Sequence, residues 1–176
     1  MTFKVRILTL FPNSFPGPLG ESLIGKGLKN NVWSIEVFNL RDFAQGKHRN
    51  VDDTPYGGGP GMIIKPDIID LALQKLKGNI SPKIFLTPRG KLFNQKKAIE
   101  LSKNKGLDLI CGHYEGIDER VIKFHQLEEV CIGNFVLSGG ETAAIVLLDS
   151  VLRLLPSILG GQRSLDEESF THSSGP

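Results

Sequence analysis

The residues best suited to chemistry in this sequence lie in glycine-rich segments that follow apolar runs. In the segment 111–120, two glycines allow a tight turn in which Tyr114 and Glu115 face a ligand. His113 lies in the same turn, but the sequence shows no partner that would make it a catalytic base, which favours an exposed or helix-capping histidine. The charged residues at 118–120 suit the first turn of a following helix.

A second glycine-rich segment, 129–141, predicts a short strand, an irregular loop and the start of a helix, with two glycines that a backbone or ligand can approach closely. The next helix is predicted over 142–155 and stops at Pro156. It is almost entirely apolar, so we expect it to be buried in its own domain or against a partner. Arg153 lies in its last turn and either stabilises the helix C-terminus with Asp149 or holds an anion or carbonyl group; the pattern leaves both interpretations open.

The glycine-rich segment 52–61 lacks the Gly-Lys-Ser/Thr sequence of a phosphate-binding loop, so it does not predict Walker-type ATP binding. Its glycines could mould the backbone around an extended substrate, although a flexible surface loop is the commoner origin of such a run. Lys47, His48 and Arg49 lie just upstream. These neighbouring cations indicate either phosphate contacts with nucleic acid or a solvated patch, and both remain open. The acidic run 166–168 would by itself be a solvated surface feature.

The composition suits one compact domain with a substantial core, because 40% of the 176 residues are hydrophobic. A formal net charge of +2 neither requires nor excludes a nucleic-acid partner. No apolar run is long enough to predict a membrane span, and the N-terminus has the pattern of a strand, not of a signal peptide. Cys111 and Cys131 lie in apolar runs without metal-ligand spacing, which indicates reduced structural cysteines in a cytoplasmic protein.

Hydrophobic periodicity predicts the strands and helices that would position these segments. The predicted strands before the second glycine-rich segment cover residues 4–10, 32–40, 83–86 and 107–111. The predicted helices before it cover residues 19–29, 66–77, 94–103 and 117–124. This alternation predicts an α/β fold with a mostly parallel sheet flanked by helices, and a ligand site beyond the carboxyl ends of its strands.

Four segments together resemble the bacterial tRNA (guanine37-N1)-methyltransferase (TrmD) family of the SPOUT class: HRNVDDTPYGGGPGM at 48–62, LTPRG at 86–90, ICGHYEGIDERV at 110–121 and IGNFVLSGGE at 132–141. The resemblance extends from about residue 4 to Phe170. It implies a SPOUT fold with a deep C-terminal trefoil knot, which no sequence pattern predicts. It also implies transfer of a methyl group from S-adenosylmethionine to N1 of guanosine 37 in tRNA, by a homodimer whose active site lies at the subunit interface.

The same resemblance assigns roles to individual residues. It places the cofactor against three loops, whose matching positions are Leu86, Thr87, Pro88, Gly112, Tyr114, Glu115, Gly116, Ile132, Gly133, Asn134, Phe135, Val136, Leu137, Gly139 and Gly140. It implies that Arg153 stabilises charge on the guanine. It also implies that Glu168, where the family usually has Asp, removes the N1 proton, with Asp166 as the alternative. The residues themselves suggest no metal cage, although the family allows a magnesium requirement.

Asp52 matches a position tied to tRNA handling, and Lys47 and Arg49 are the predicted substrate contacts beside it. The predicted organisation is a SPOUT methyltransferase domain over 1–160 and a remnant of an interdomain linker over 161–176, without the family's C-terminal tRNA-binding domain. We therefore expect cofactor binding to be retained and turnover on tRNA to be lost. Two alternatives remain, a non-catalytic RNA-binding module with this fold and a generic ATP-binding α/β domain.

Overall fold

The computed structural model describes residues 1–46, 49–58, 60–76, 78 and 82–159. The strands among them are β1 (Phe3–Thr9), β2 (Trp33–Asn39), β3 (Asp52–Asp53), β4 (Ile63–Ile64), β5 (Lys83–Leu92), β6 (Gly106–Cys111) and β7 (Glu128–Cys131). The α-helices are α1 (Ser22–Lys29), α2 (Pro66–Lys75), α3 (Gln95–Ser102), α4 (Glu119–His125) and α5 (Gly140–Leu152). Short 3-10 turns occupy Pro12–Ser14, Gly17–Gly20 and Leu40–Phe43.

The main sheet has five strands in the order β2-β1-β6-β5-β7 across the described residues, and each neighbouring pair is parallel. β3 and β4 form a separate antiparallel ribbon. The predicted α/β fold with a mostly parallel sheet flanked by helices is therefore confirmed. Because the strands are parallel, the loops that follow β6 and β7 leave the same edge of the sheet.

Alternate residues of the central strands enter two cores, one on each face of the sheet. Ile7 and Leu109 belong to the core that contains residues of α1, α3 and α5. Leu8 and Ile110, their sequence neighbours, belong to the core that contains residues of α2 and α4. β6 is buried along its whole length, as expected for a central parallel strand that helices cover on both faces.

Two helices begin two or more residues later than predicted, each for a local reason. α1 begins at Ser22, three residues after the predicted start, because Gly17–Gly20 forms a 3-10 turn. α4 begins at Glu119 because the Asp118 carboxylate accepts a hydrogen bond from the Arg120 N–H and caps the helix. The charged residues predicted for the first turn of α4 do lie there.

The strand predicted over 83–86 continues to Leu92. Its register against β7 shifts between Leu86 and Lys91, so the intervening Thr-Pro-Arg-Gly segment bulges while the strand resumes beyond it. The segment that follows the predicted end of the strand is therefore an irregularity within β5. This keeps the segment beside β7.

The helix predicted over 142–155 occupies Gly140–Leu152, with Gly139 as its N-cap and Arg153 as its C-cap. It starts earlier than predicted because the second glycine is already helical, and it ends before the proline. As predicted, α5 is largely buried, in the core that it shares with α1 and α3. None of the helices in the described part of the chain is long and apolar enough to cross a membrane.

Candidate active site

A cavity of about 300 Å³ lies beyond the ends of β6 and β7 and beside the bulge of β5. All but one of the predicted cofactor-binding residues line it: Leu86, Thr87, Pro88, Gly112, Tyr114, Glu115, Gly116, Ile132, Gly133, Phe135, Val136, Leu137, Gly139 and Gly140. The exception is Asn134, which is exposed and is not part of the lining. The fold thus gathers three segments that are far apart in sequence around one space.

The lining also contains residues to which the motifs assign no role: Phe85, Arg89, His113, Val130, Cys131, Ser138 and Ala143. Arg89, His113 and Ser138 lie inside the motifs, so their position in the sequence was an available signal. Phe85, Val130 and Cys131 belong to strands that pair side by side, and only the pairing of β5 with β7 places them at the cavity.

Two glycines allow the cavity segments to approach each other closely. A Cβ atom on Gly140 would lie 2.7 Å from Cys111 Cα, and the Gly140 N–H donates to the Gly112 carbonyl oxygen at 2.9 Å. A Cβ atom on Gly112 would lie 2.8 Å from the Phe85 ring. The start of α5 therefore packs directly on the backbone that follows β6, which a larger residue at Gly140 would prevent, and a larger residue at Gly112 would displace the Phe85 ring.

The turn that follows β6 is held from outside by the β3–β4 ribbon. The Glu115 N–H donates to the Met62 carbonyl oxygen at 2.9 Å, and the Ile64 N–H donates to the Gly116 carbonyl oxygen at 3.0 Å. Ile64 pairs in turn with Asp52, the predicted substrate residue. The ribbon therefore links the predicted tRNA-handling segment to the cavity through backbone hydrogen bonds.

The rim of the cavity exposes three consecutive apolar side chains. Phe135, Val136 and Leu137 have 56%, 82% and 36% of their surface accessible. They follow β7 in the loop that precedes α5 and they line the cavity. An exposed apolar segment at a cavity mouth indicates a surface that a ligand or a partner covers.

A buried polar network lies behind the same turn and corrects the prediction for His113. Its Nε2 atom lies 2.7 Å from Glu141 Oε2, and its side chain is only 14% exposed. Thr9 Oγ1 lies 2.5 Å from Glu141 Oε1 and accepts a hydrogen bond from the Phe11 N–H at 2.9 Å. His113 therefore has a partner, and it is neither an exposed nor a helix-capping residue.

Charged and aromatic side chains lie close to the cavity turn. Arg89 approaches Glu119 at 3.6 Å, and both side chains are exposed. Arg120 bonds Asp118 at 2.7 Å, and these hydrogen bonds lower the pKa of the Asp118 carboxyl below its usual range. The Arg120 guanidinium also lies 4.8 Å from the centre of the Tyr56 ring. Exposed arginine and aromatic groups of this kind suit a nucleic-acid surface.

Arg153 lies at the opposite end of α5 from the cavity. The lining includes Ala143 in the first turns of the helix, whereas Arg153 is the C-cap. At about 1.5 Å per residue, the separation of ten positions spans roughly 15 Å along the axis. The structure therefore does not bring the predicted catalytic arginine to the cavity of its own chain.

The remaining predicted site residues are only partly described. Arg49 is exposed and lies 3.3 Å from Asp42, so it is part of an accessible surface pair. Lys47, the predicted base Glu168 and its alternative Asp166 lie outside the described residues, together with the whole predicted linker remnant. Their roles remain predictions.

The described side chains do not form a metal cage. No group of three or more His, Cys, Asp or Glu residues in the described ranges is placed to hold a metal ion. Glu115 is a carboxylate of the cavity lining, and Glu141 is occupied by Thr9 and His113.

The sequence matches the family described as tRNA (Guanine-1)-methyltransferase TrmD over residues 3–174. It is 52% identical over 168 residues to a Pelagibacter ubique protein, covering 96% of this chain and 74% of that protein. It is 51% identical over 170 residues to a Bartonella henselae protein, covering 97% and 73%. It is also 48% identical over 170 residues to a Rhodospirillum rubrum protein, covering 97% and 71%. All three relatives are named tRNA (guanine-N(1)-)-methyltransferase.

The cavity-lining motifs and this similarity along almost the whole chain lead to one conclusion: the chain belongs to the tRNA (guanine-1)-methyltransferase TrmD family.

Proposed function

We propose that this chain carries the methyl-donor site of an enzyme that transfers a methyl group from S-adenosylmethionine to N1 of guanosine 37 in tRNA. The observation that carries the proposal is the cavity of about 300 Å³, around which the three segments expected to hold the methyl donor meet. The names of the relatives support the reaction class. Family membership supports the methyl donor and the position in the tRNA.

The cavity suits a small ligand with an aromatic base and a positive charge. Its size lies at the lower end of the usual range for small-molecule pockets. Leu86, Val130 and Ile132 offer apolar contacts for an adenine ring, while the Glu115 carboxylate complements the positive charge of the donor. When bound, S-adenosylmethionine supplies an electrophilic methyl group.

The chemistry requires a base and a cation beside the guanine. N1 of guanine carries a proton, so methylation breaks an N1–H bond as it forms an N1–CH₃ bond, and S-adenosylhomocysteine leaves. We assign the acceptance of that proton to the Glu168 carboxylate. As the proton leaves, negative charge develops on O6, and the Arg153 guanidinium stabilises it.

The position of Arg153 supports an active site that two subunits share. Its own cavity lies roughly 15 Å away along α5, so Arg153 would serve the cavity of a second copy of the chain. The exposed apolar rim at 135–137 offers a surface that such a partner would cover. We therefore propose a homodimer. We also infer from family membership that the segments around the cavity form the trefoil knot of the SPOUT class.

Two measurements test the proposed function. Titration calorimetry should detect binding of S-adenosylmethionine, and a folded chain that binds none would favour the non-catalytic RNA-binding alternative. Binding of ATP in its place would favour the generic nucleotide-binding alternative.

A methylation assay should compare this chain with a full-length family member on transcripts that carry guanosine or adenosine at position 37. Parallel reactions with EDTA, with and without added Mg²⁺, decide the magnesium requirement.

A further inference from the structure

We propose that Thr9 and Glu141 are positioning residues of this site: together they hold His113 in one orientation, with its Nε2–H donated to Glu141, and so join the two loops that line the cavity. The inference rests on the proposed function, because it assigns these residues to the binding of the methyl donor. None of the family motifs implies a role for either of them.

The direction of the hydrogen bonds follows from the donors that are present. Thr9 Oγ1 accepts from the Phe11 N–H, which leaves the Thr9 hydroxyl proton to be donated to Glu141 Oε1. An ionised carboxylate only accepts hydrogen bonds. Glu141 Oε2 at 2.7 Å therefore accepts from His113 Nε2–H, whether the imidazole is neutral or protonated.

The ionised form of Glu141 fits its location. Glu141 is the second residue of α5, in the first turn, where unpaired backbone N–H groups and the helix dipole favour a negative charge. Its surface is 8% accessible and that of Thr9 is fully buried. A buried carboxylate is costly unless its oxygens accept hydrogen bonds, and here both do.

The network connects three elements whose relative positions determine the shape of the cavity. Thr9 is the last residue of β1, His113 belongs to the turn after β6, and Glu141 begins α5 directly after the glycine-rich loop. Gly139 lies against this contact, because a Cβ atom there would be 2.2 Å from His113 Cε1 and 2.8 Å from Glu141 Oε2. The glycine-rich loop before α5 thus packs directly against the His113–Glu141 pair.

The pair also determines which atom of His113 remains available. Within the described residues, no hydrogen bond reaches His113 Nδ1, and Nδ1 is not among the buried atoms that lack a partner. His113 lines the cavity. Fixing Nε2 on Glu141 therefore leaves Nδ1 as the ring nitrogen that is free to form a further hydrogen bond.

The test compares Thr9→Val, which removes the hydroxyl at nearly constant volume, with Thr9→Ser, which keeps it. Thr9→Val leaves a carboxylate oxygen without its donor, and we expect the calorimetric Kd for S-adenosylmethionine to rise about tenfold. Thr9→Ser should keep the wild-type Kd. Asp108→Asn, at a buried ion pair with Arg6 on strands β1 and β6, controls for simple destabilisation and should leave the Kd unchanged.

Nitrogen NMR of the labelled histidine ring provides a readout that lost stability would not imitate. The His113 signals, assigned with His113→Gln, should show a protonated Nε2 in the wild-type chain and lose that preference in Glu141→Ala. An unprotonated Nε2 in the wild-type chain, or equal Kd values for Thr9→Val and Thr9→Ser, would overturn the inference. If the wild-type chain binds no S-adenosylmethionine, the proposed function is wrong, and so is the role of Thr9 and Glu141 in binding the methyl donor. The NMR result still decides the hydrogen-bond assignment.

Discussion

Gly61 lies directly against the side chain of Glu115: a Cβ atom on Gly61 would be 2.6 Å from Glu115 Cγ and 3.0 Å from its Oε1. Gly61 belongs to the glycine-rich loop before β4, and Glu115 belongs to the cavity turn after β6. The neighbouring backbone bond from the Glu115 N–H to the Met62 carbonyl oxygen fixes the two segments together. The missing side chain of Gly61 thus leaves the space that the Glu115 carboxylate occupies.

Gly61→Ala should therefore displace the Glu115 carboxylate and weaken binding of S-adenosylmethionine by about tenfold, the equivalent of one lost charged contact. Gly58→Ala is a matched control. Gly58 has a similar positive φ of 83°, against 89° for Gly61, but, its chain neighbours aside, none of the described residues places an atom within 4 Å of its Cβ position. Both variants carry the same backbone strain, so equal affinities by calorimetry would rule out this role for Gly61.

Arg153→Ala, placed in a full-length family member, should leave affinity for S-adenosylmethionine nearly intact and reduce kcat for methyl transfer by about 10²–10³-fold, as expected for loss of an oxyanion-stabilising group. The reason is that Arg153 is proposed to act on guanine O6 and not on the methyl donor. Lys96→Ala, at an exposed cation of α3, serves as the control. An unchanged rate of transfer in single-turnover assays would remove the assignment.

Asp108→Asn should destabilise the fold strongly. Asp108 accepts two hydrogen bonds from Arg6, at 2.7 and 2.8 Å, and the side chains are only 1% and 5% exposed. Removing the Asp108 charge breaks a buried ion pair with Arg6, and breaking such a pair costs about 3–5 kcal/mol. Urea denaturation measures the change.

Asp42→Asn is the matched comparison, because Asp42 and Arg49 form an ion pair whose side chains are 64% and 63% exposed. Surface pairs of this kind contribute about 0–1 kcal/mol. Equal losses of unfolding free energy in Asp108→Asn and Asp42→Asn would contradict the prediction that the buried ion pair contributes more to stability than the exposed one.

Cys111 should resist alkylation in the native protein. Burial raises the pKa of its thiol well above the usual range, and the nearby negative charge of Glu141 adds to the effect. Because the thiolate is the reactive form, iodoacetamide should modify Cys111 only after denaturation. Mass spectrometry of peptides alkylated with and without urea measures the extent of modification. Modification of Cys111 in the native protein at the rate seen in urea would contradict its burial.

Local sequence was enough to predict most elements of the fold. Strands β1, β2 and β6 and helices α2 and α3 lie within a few residues of their predicted positions, because hydrophobic periodicity and caps act over a few residues. The bulge of β5 was missed because it depends on pairing with β7. The motifs identified the segments of the cavity, and the lining includes all their predicted contacts except Asn134.

Contacts between distant residues were decided by the tertiary structure alone. His113 meets Glu141 across 28 positions, and Glu141 meets Thr9 across 132. No periodicity extends over such distances; these side chains meet because the strand order β2-β1-β6-β5-β7 brings the ends of β1 and β6 together beneath the start of α5. The same packing places Gly61 against Glu115 and leaves Arg153 at the far end of its helix. The sequence by itself determined which segments could bind a ligand, whereas the parallel sheet decided which of their atoms face one another.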